Sequence, residues 1–283
     1  MKKKIRGIFN LIRFELPFSA GVCVVLGQVL SSGEFASLRI TLLGFTSVFF
    51  ISASILAFND YFDIESDKVN APFRPIPSNL ILPSEALLFA VLLLLIGLVL
   101  SYKISFVVLI IAIGLALIGF LYNRYFKRSG LLGNLMVSFS VGMTFLYGGA
   151  TVELLFNKVI IFFGIIAALV DLGEEIAADS MDMEGDKLIN SNSIAIKRGK
   201  AEAIKISSFI FILVILLTFV PFLLKWFSPI YIIPIGIMDL VIGYSTYGLI
   251  KSKNNEGRKY IRILYLGATV GLILFLVIRL FET

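Results

Sequence analysis

The sequence contains no histidine and only one cysteine, Cys23. Without histidine, the chain lacks the commonest protein ligand of zinc and haem iron and the commonest general base near neutral pH. A single cysteine cannot form a disulfide framework or a thiolate metal site within the chain. The acidic residues therefore remain as the only dense set of candidate metal ligands.

Charged residues are also scarce. They make up 16% of the 283 residues, whereas hydrophobic residues make up 58%. This is not the composition of a soluble globular protein, and the chain is long enough for many helical spans of about 20 residues each. We predict an all-α, multi-pass protein of the cell membrane. The net charge is +6, and the basic residues lie mainly at the ends of the apolar runs, so no nucleic-acid partner is predicted. No protein partner is evident.

Nine apolar runs, each ended by charge or proline, predict nine transmembrane helices in a bundle. The runs are 16–30, 40–58, 86–100, 106–121, 131–151, 159–172, 206–224, 230–250 and 261–280. Five basic residues fall on one side of this arrangement: Arg39, Lys103, Lys158, Lys225 and Arg279. The other 20 of the 25 fall on the opposite side, which the positive-inside rule identifies as cytoplasmic. The N-terminus is thus predicted inside and the C-terminus outside.

The first unusual stretch, residues 59–78, follows the second apolar run. At about 100° per residue, one amide and three carboxylates share an arc of roughly 100° on a helix. These residues are Asn59, Asp60, Asp63 and Asp67. Three prolines then force an extended loop, which places Arg74 beside the acidic face. Carboxylates near membrane depth are costly unless they pair, bind metal or face water, so this face predicts a cation site.

A second acidic stretch follows the sixth run and repeats the spacing of the first. Asp179, Asp182 and Asp186 have the same i, i+3, i+7 pattern as Asp60, Asp63 and Asp67, and Glu175 extends the face. Solvation alone would scatter the acids, whereas the two matched faces predict one shared site. Both stretches fall on the cytoplasmic side, where their connections are long enough to form a cap of short helices over the bundle.

These motifs resemble the signatures of the UbiA-type intramembrane prenyltransferase superfamily over essentially the whole chain. The first signature, N-D-x-x-D-x-x-x-D followed by N-x-x-x-R-P-I-P, is matched by Asn59, Asp60, Asp63, Asp67, Asn70, Arg74, Pro75, Ile76 and Pro77. The second is matched by the three aspartates of DSMDMEGDK, and residues 122–134 add YNRYFKRSGLLGN. Within the superfamily, DYFDIESDKVNAPFRPIPS and DMEGDK are most similar to the digeranylgeranylglyceryl phosphate synthases of archaeal ether-lipid synthesis.

The resemblance implies a single integral-membrane domain, 1–283, and a Mg-dependent reaction. A geranylgeranyl group would pass from geranylgeranyl diphosphate to the hydroxyl of geranylgeranylglyceryl phosphate, giving a diether lipid precursor and diphosphate. The partners would then be a prenyl diphosphate, a lipid phosphate acceptor and membrane lipids. Two features depart from the family pattern. Glu174 and Ala178 stand where many relatives carry arginine and lysine, and the usual glycine-threonine pair after the second signature is blurred in LINSNSIAI.

Release of diphosphate needs its negative charge neutralised, and Mg2+ is the hard, oxygen-seeking ion for this task. The predicted metal ligands are Asn59, Asp60, Asp63, Asp67, Asp179, Asp182 and Asp186, and the catalytic role falls to Asp63, Asp67, Asp182 and Asp186. Lys68, Arg74 and Lys127 are the predicted contacts to phosphate.

The remaining candidates concern the acceptor and the edges of the site. Lys197 and Arg198 add positive charge that favours a phosphorylated acceptor. Arg13 either reaches a phosphate or anchors the first helix. Tyr122 is either a substrate contact or an interfacial aromatic residue. Asp239, alone in the eighth run, is left unassigned between pairing and substrate contact. The basic cluster 251–262 is interpreted as a topology signal that binds anionic headgroups.

Three other functions compete with this interpretation. An aromatic prenyltransferase of quinone synthesis would use the same acidic faces. A CDP-alcohol phosphotransferase would carry a D-G-x-x-A-R element before its acidic turns, which the setting of Asn59 does not match. A cation transporter would scatter acids along several spans near the membrane midplane, whereas here they cluster at one surface beside arginine.

Overall fold

The computed structural model describes residues 2–253 and 256–282, and within these ranges the chain is helical without strands. The predicted domain 1–283 also includes Met1, Asn254, Asn255 and Thr283, which lie outside the described residues. The α-helices are α1 Lys2–Ile12, α2 Glu15–Ser32, α3 Leu38–Phe62, α4 Ile64–Asn70, α5 Pro83–Tyr102, α6 Phe106–Leu121, α7 Leu131–Thr151, α8 Lys158–Asp179, α9 Met183–Leu188, α10 Ile194–Arg198, α11 Lys200–Leu217, α12 Val220–Leu223, α13 Ile232–Lys251 and α14 Gly257–Glu282. A π-helical turn, Tyr122–Phe126, and a 3-10 turn, Lys127–Ser129, follow α6, and a 3-10 turn, Pro229–Tyr231, precedes α13.

Each of the nine predicted spans falls on a long helix. Eight helices among the described residues are long and apolar enough to cross a membrane. The sixth predicted span lies in α8, whose 22 residues would suffice in length. However, α8 is not among the eight apolar helices, because its C-terminal half carries four acids: Asp171, Glu174, Glu175 and Asp179. The all-helical membrane fold is confirmed, and the count of nine spans stays a prediction.

Small residues allow the central helices to approach closely. At Gly148 on α7, a Cβ atom would overlap the backbone oxygen of Val24 on α2. Such close approach is the usual basis of helix packing in membranes, because lipid provides no hydrophobic force between helices. A buried hydroxyl network adds specificity here. The Tyr147 hydroxyl lies 2.8 Å from both the Ser47 and the Ser101 hydroxyl oxygens.

The bundle has two chemically different ends. At one end, Lys4 on α1 pairs with Glu85 at the start of α5, and the two acidic connections meet. At the other end, Asn157 Nδ2 donates to Ser31 O at 3.1 Å. Connections that the sequence predicts to share a side therefore share an end of the bundle. Which end faces the cytoplasm stays a prediction.

Candidate active site

The first acidic stretch is built where α3 ends and α4 begins. The continuous helix assumed in the sequence-based prediction is interrupted at Asp63, which has φ −96° and ψ 10° and lies between the two helices. Asp60 is fully buried and accepts a hydrogen bond from Arg13. Asp63 is paired with Lys127. Arg74 Nη1 lies 2.6 and 2.5 Å from the two carboxylate oxygens of Asp67. The proline-rich segment places Arg74 beside the acids, although it forms a series of turns instead of the predicted extended loop.

The second stretch has the same local architecture. Asp179 ends α8, a short turn follows, and Asp182 precedes α9 with φ −104° and ψ 5°. Asp63 and Asp182, the middle aspartates of the two matched patterns, therefore occupy nearly the same backbone conformation at corresponding helix breaks. Asn134 Nδ2 donates to Asp179 Oδ2 at 2.9 Å, and Arg258 donates to Asp182.

Asn70, the last residue of α4, joins the two stretches. Its Nδ2 donates to the backbone oxygen of Asp182 at 3.0 Å, and its Oδ1 accepts from the backbone amide of Gly185 at 2.9 Å. A side chain at position 185 would collide with the Asn70 amide, so glycine is required for this approach. The first signature is thereby held against the backbone of the second.

A cavity of about 490 Å³ lies between the two stretches. Five of the seven predicted metal ligands line it: Asn59, Asp67, Asp179, Asp182 and Asp186. Asp60 and Asp63 lie behind this wall, each held by a basic side chain that does line the cavity. Of the predicted substrate contacts, the cavity is lined by Arg13, Arg74, Tyr122 and Lys127.

The structure leaves three predicted substrate contacts outside the cavity lining. Lys68 is exposed and pairs with Glu65 at 2.8 Å. Lys197 and Arg198 are exposed on the short helix α10. Their roles in substrate binding stay predictions, with no contact to the cavity among the described residues.

Asp239 also lies away from the cavity lining. Thr218 Oγ1 donates to its Oδ2 at 2.8 Å, while its Oδ1 is buried without a hydrogen-bond partner among the described residues. The structure thus gives Asp239 a polar partner between α11 and α13.

Four further charged residues line the cavity that the sequence analysis did not name as metal ligands or substrate contacts. Glu174 and Glu175 project from α8, and Arg258 and Arg262 from α14. The signal for the arginines was present, since Arg258, Arg262 and Tyr265 are spaced for one helix face. Their place in a long basic cluster favoured a topological interpretation instead.

Burial shapes the electrostatics of the groups outside the spans. It raises the pKa of Asp186 to about 7, an effect to which the negative charge of Asp179 adds. Burial also raises the pKa of Asp67, although the guanidinium of Arg74 opposes the change. The pKa of Arg13 is lowered by burial and by the nearby charge of Arg74. The site therefore holds acids whose ionised forms need additional positive charge.

The oxygen donors present fit a hard divalent cation such as Mg2+. Asp60 Oδ2 is buried with no hydrogen-bond partner among the described residues. Asp186 lines the cavity. No cluster of three acids within metal-binding distance occurs among the described residues, because basic side chains lie between the carboxylates. The chemistry of the donor set matches magnesium, while the side-chain positions are those of ion pairs.

The sequence matches known proteins along most of its length. Residues 20–277 match the model of the UbiA prenyltransferase family. The digeranylgeranylglyceryl phosphate synthase of Methanocaldococcus jannaschii is 35% identical over 255 residues, covering 90% of this chain and 89% of that one. The digeranylgeranylglyceryl phosphate synthase of Methanococcus aeolicus is 31% identical, covering 93% of this chain and 95% of that one.

Solved structures agree with the sequence relatives. A digeranylgeranylglyceryl phosphate synthase in membranes matches with a TM-score of 0.69 at 34% identity, covering 96% of this chain and 99% of the other. The apo structure of a UbiA homologue from Aeropyrum pernix K1 has a TM-score of 0.83 at 15% identity, covering 94% and 98%. A UbiA homologue from Archaeoglobus fulgidus bound to GPP and Mg2+ has a TM-score of 0.64 at 19% identity, covering 96% and 97%. The last two likenesses show the fold alone.

Proposed function

The chain belongs to the UbiA prenyltransferase family, and from this premise we propose that it transfers a geranylgeranyl group from geranylgeranyl diphosphate to the hydroxyl of geranylgeranylglyceryl phosphate. The products are a diether lipid precursor and diphosphate. One observation carries the proposal: both acidic stretches and five basic side chains converge on one cavity in a chain similar along its length to digeranylgeranylglyceryl phosphate synthases. The protein is an integral membrane prenyltransferase.

Magnesium is the proposed cofactor, in keeping with the Mg2+ bound by the Archaeoglobus fulgidus homologue. Its proposed ligands are Asn59, Asp60, Asp63 and Asp67 from the first stretch and Asp179, Asp182 and Asp186 from the second. When bound, magnesium neutralises charge on the departing diphosphate. The catalytic role is proposed for Asp63, Asp67, Asp182 and Asp186.

The basic side chains on the wall of the first stretch bind the donor diphosphate in this proposal. Lys127, Arg74 and Arg13 line the cavity, and each lies beside a carboxylate of that stretch. Arginine and lysine make strong, charge-assisted hydrogen bonds to phosphate oxygens. These cations hold the diphosphate at the end of the bundle and direct its hydrocarbon chain inward.

The inner wall of the cavity is suited to the hydrocarbon chain. It is lined by apolar side chains from α2, α3, α6 and α7, which include Leu16, Ile55, Leu56, Ile118, Met136 and Val137. An apolar wall excludes water, which would otherwise hydrolyse the allylic cation. Tyr122 also lines the cavity, and we propose that it contacts the prenyl diphosphate.

An alcohol acceptor imposes one further requirement. Its hydroxyl must lose a proton as the new C–O bond forms, so a base must lie within hydrogen-bond reach. The chain has no histidine, and the carboxylates of Glu174 and Glu175 line the cavity. These two residues are the proposed proton acceptors.

We place the active site on the cytoplasmic side, with the N-terminus inside, the C-terminus outside and a single domain spanning 1–283. The excess of basic residues in the connections at this end supports the orientation. A cytoplasmic site would also receive its charged substrates from the compartment that makes them.

A product assay with purified protein, magnesium and radiolabelled geranylgeranyl diphosphate tests the function. The acceptors are geranylgeranylglyceryl phosphate, 4-hydroxybenzoate and a naphthoate. We expect a labelled diether from the phospholipid acceptor and release of diphosphate. Exclusive labelling of an aromatic acid would replace the proposal with an aromatic prenyltransferase. Absence of diphosphate release with every acceptor would remove the enzyme and favour a cation transporter.

A further inference from the structure

We propose that Arg262 on α14 forms a second anion subsite in the cavity, one that binds the phosphate of the acceptor lipid. The proposal rests on the proposed function and extends it to the residue that selects a phosphorylated acceptor. Arg258, Ile261, Arg262 and Tyr265 all line the cavity. Their i, i+3, i+4, i+7 spacing places them on one face of α14, so this face forms a wall of its own.

The five cations that line the cavity among the described residues differ in their partners. Four are paired with the acidic stretches: Arg13 with Asp60, Arg74 with Asp67, Lys127 with Asp63 and Arg258 with Asp182. Arg262 instead reaches Glu15, with Nη2 and Oε1 3.5 Å apart. Glu15 is neither a proposed metal ligand nor a residue of the cavity lining. Arg262 thus stands apart from the metal and diphosphate machinery.

The Arg262–Glu15 pair is suited to exchange. The two side chains are 66% and 38% exposed, and exposed ion pairs at such distances contribute little stability. A phosphate monoester offers the guanidinium a doubly charged partner with two-pronged hydrogen bonding, which binds more strongly than one carboxylate oxygen at the edge of reach. Arg262 can turn to such a ligand without leaving a buried charge unpaired.

The chemistry of the acceptor requires a subsite at this place. In a glycerol phosphate ether, the phosphate lies no more than two carbons from the reacting hydroxyl, so it must bind in the same cavity as the donor. The cations paired with the first stretch are the proposed contacts of the donor diphosphate, whereas Arg258 joins α14 to Asp182 of the second stretch. Glu174, a proposed proton acceptor, lines the same cavity.

Two other cations are competing candidates for the contact to the acceptor phosphate. Lys197 and Arg198 supply positive charge near the second stretch, but both are exposed and neither lines the cavity. Replacing both removes two positive charges, one more than replacing Arg262, so a pure loss of charge would weaken acceptor binding at least as much in the double variant. Of these three residues, Arg262 alone lines the cavity.

The experiment compares wild type, Arg262→Gln, Arg262→Lys and the control Lys197→Gln/Arg198→Gln in neutral detergent without added anionic lipid. KM and kcat are measured for geranylgeranyl diphosphate, for geranylgeranylglyceryl phosphate and for its dephosphorylated form. We expect Arg262→Gln to raise KM for the phosphorylated acceptor about 10- to 100-fold, the range of one charged hydrogen-bonding contact. KM for the donor and kcat/KM for the dephosphorylated acceptor should change less than about twofold, as expected if only the contact to phosphate is lost. Arg262→Lys should restore part of the affinity, and KM for the phosphorylated acceptor should rise less in Lys197→Gln/Arg198→Gln than in Arg262→Gln.

Three results would overturn the subsite. In the first, Arg262→Gln lowers activity on both acceptors equally. In the second, it raises KM for the donor. In the third, the control variant carries the phosphate effect. In each case wild type still makes the diether, so the proposed function survives. If wild type prenylates only aromatic acids, the function and the subsite fail together.

Discussion

At the scale of single residues, the site is organised by charge pairs of unequal burial. Asp60 is 0% exposed and lies between Arg13 and Arg74. Removing one partner from such a buried pair typically costs about 3–5 kcal/mol, because the other charge is left unpaired. Asp182 and Arg258 are 33% and 40% exposed, so water can solvate either one alone. Replacing Asp60 should therefore destabilise the fold, whereas Asp182 can be replaced to test function without leaving a buried charge unpaired.

The first prediction concerns the middle aspartates. Asp63→Ala and Asp182→Ala should each lower kcat at least about 100-fold at saturating magnesium, as expected for loss of a ligand that supports charge stabilisation. Arg258, the cation left behind by Asp182→Ala, is 40% exposed, whereas Asp63 is 5% exposed beside Lys127, so Asp63→Ala should also lower the thermal midpoint. Prenyl transfer and thermal unfolding in detergent are measured on the same samples.

Matched controls lie on the same two short helices. Glu65 on α4 and Glu184 on α9 are acids with exposed side chains outside the cavity lining. Glu65→Ala and Glu184→Ala should keep near-normal activity. Near-normal turnover in Asp63→Ala or Asp182→Ala would contradict the two-stretch metal site.

At the scale of elements, the spacing of the acids was predictable but the helix breaks were not. The pattern i, i+3, i+7 suits one continuous helix, and no proline or glycine lies between Asp60 and Asp67 or between Asp179 and Asp182. The breaks come with long-range contacts, since Asn70 binds Gly185 and the backbone of Asp182 from more than a hundred residues away. Local propensity cannot report such contacts, because tertiary interactions override it.

The contact between α4 and α9 leads to the second prediction. Gly185→Ala should displace the Asn70 amide and break two hydrogen bonds, each worth about 1 kcal/mol. We expect kcat/KM to fall about tenfold as the two acidic stretches move apart, the effect of roughly 1.4 kcal/mol. The measurement is steady-state prenyl transfer, with magnesium dependence recorded for each variant.

Gly236→Ala on α13 is the control, because a Cβ atom there would meet nothing within 4 Å. It should behave as wild type. An unchanged magnesium dependence and kcat/KM in Gly185→Ala would show that the Asn70 bridge does not position the ligands.

The third prediction concerns packing between α2 and α7. Gly148→Ala places a methyl group against the backbone oxygen of Val24, which cannot move without shifting α2. Overpacking of this type typically costs about 1–3 kcal/mol. The thermal midpoint in detergent should fall, whereas Gly114→Ala on α6, where a Cβ atom has open space, should not lower it. Equal midpoints for both variants would contradict the packing.

At the scale of the whole molecule, apolar runs predicted the helices because membrane spans need length and hydropathy above all. Among the predicted spans that the structure describes, α8 departs from that rule, since Glu174, Glu175 and Asp179 in its C-terminal half line the cavity. The cations of the cavity were harder to predict. Arg74 and Lys127 belong to motifs, whereas Arg262 lies in a basic cluster that is typical of any cytoplasmic helix end. Choosing Arg262 over Lys197 requires knowing which helix face meets the cavity, and that depends on the packing of distant helices.

The last prediction concerns the orientation of the molecule. Glu184 on α9 lies at the acidic end, and Lys103 follows α5, which begins at that end near Lys4 and runs about 30 Å away from it. Both side chains are exposed. In a Cys23→Ala background, which removes the only native thiol, Glu184→Cys should react with a membrane-impermeant thiol reagent only from the cytoplasmic face and Lys103→Cys only from the outer face. Both should react after permeabilisation. Labelling of Glu184→Cys from the outer face would invert the bundle and move the active site away from the compartment that supplies its charged substrates.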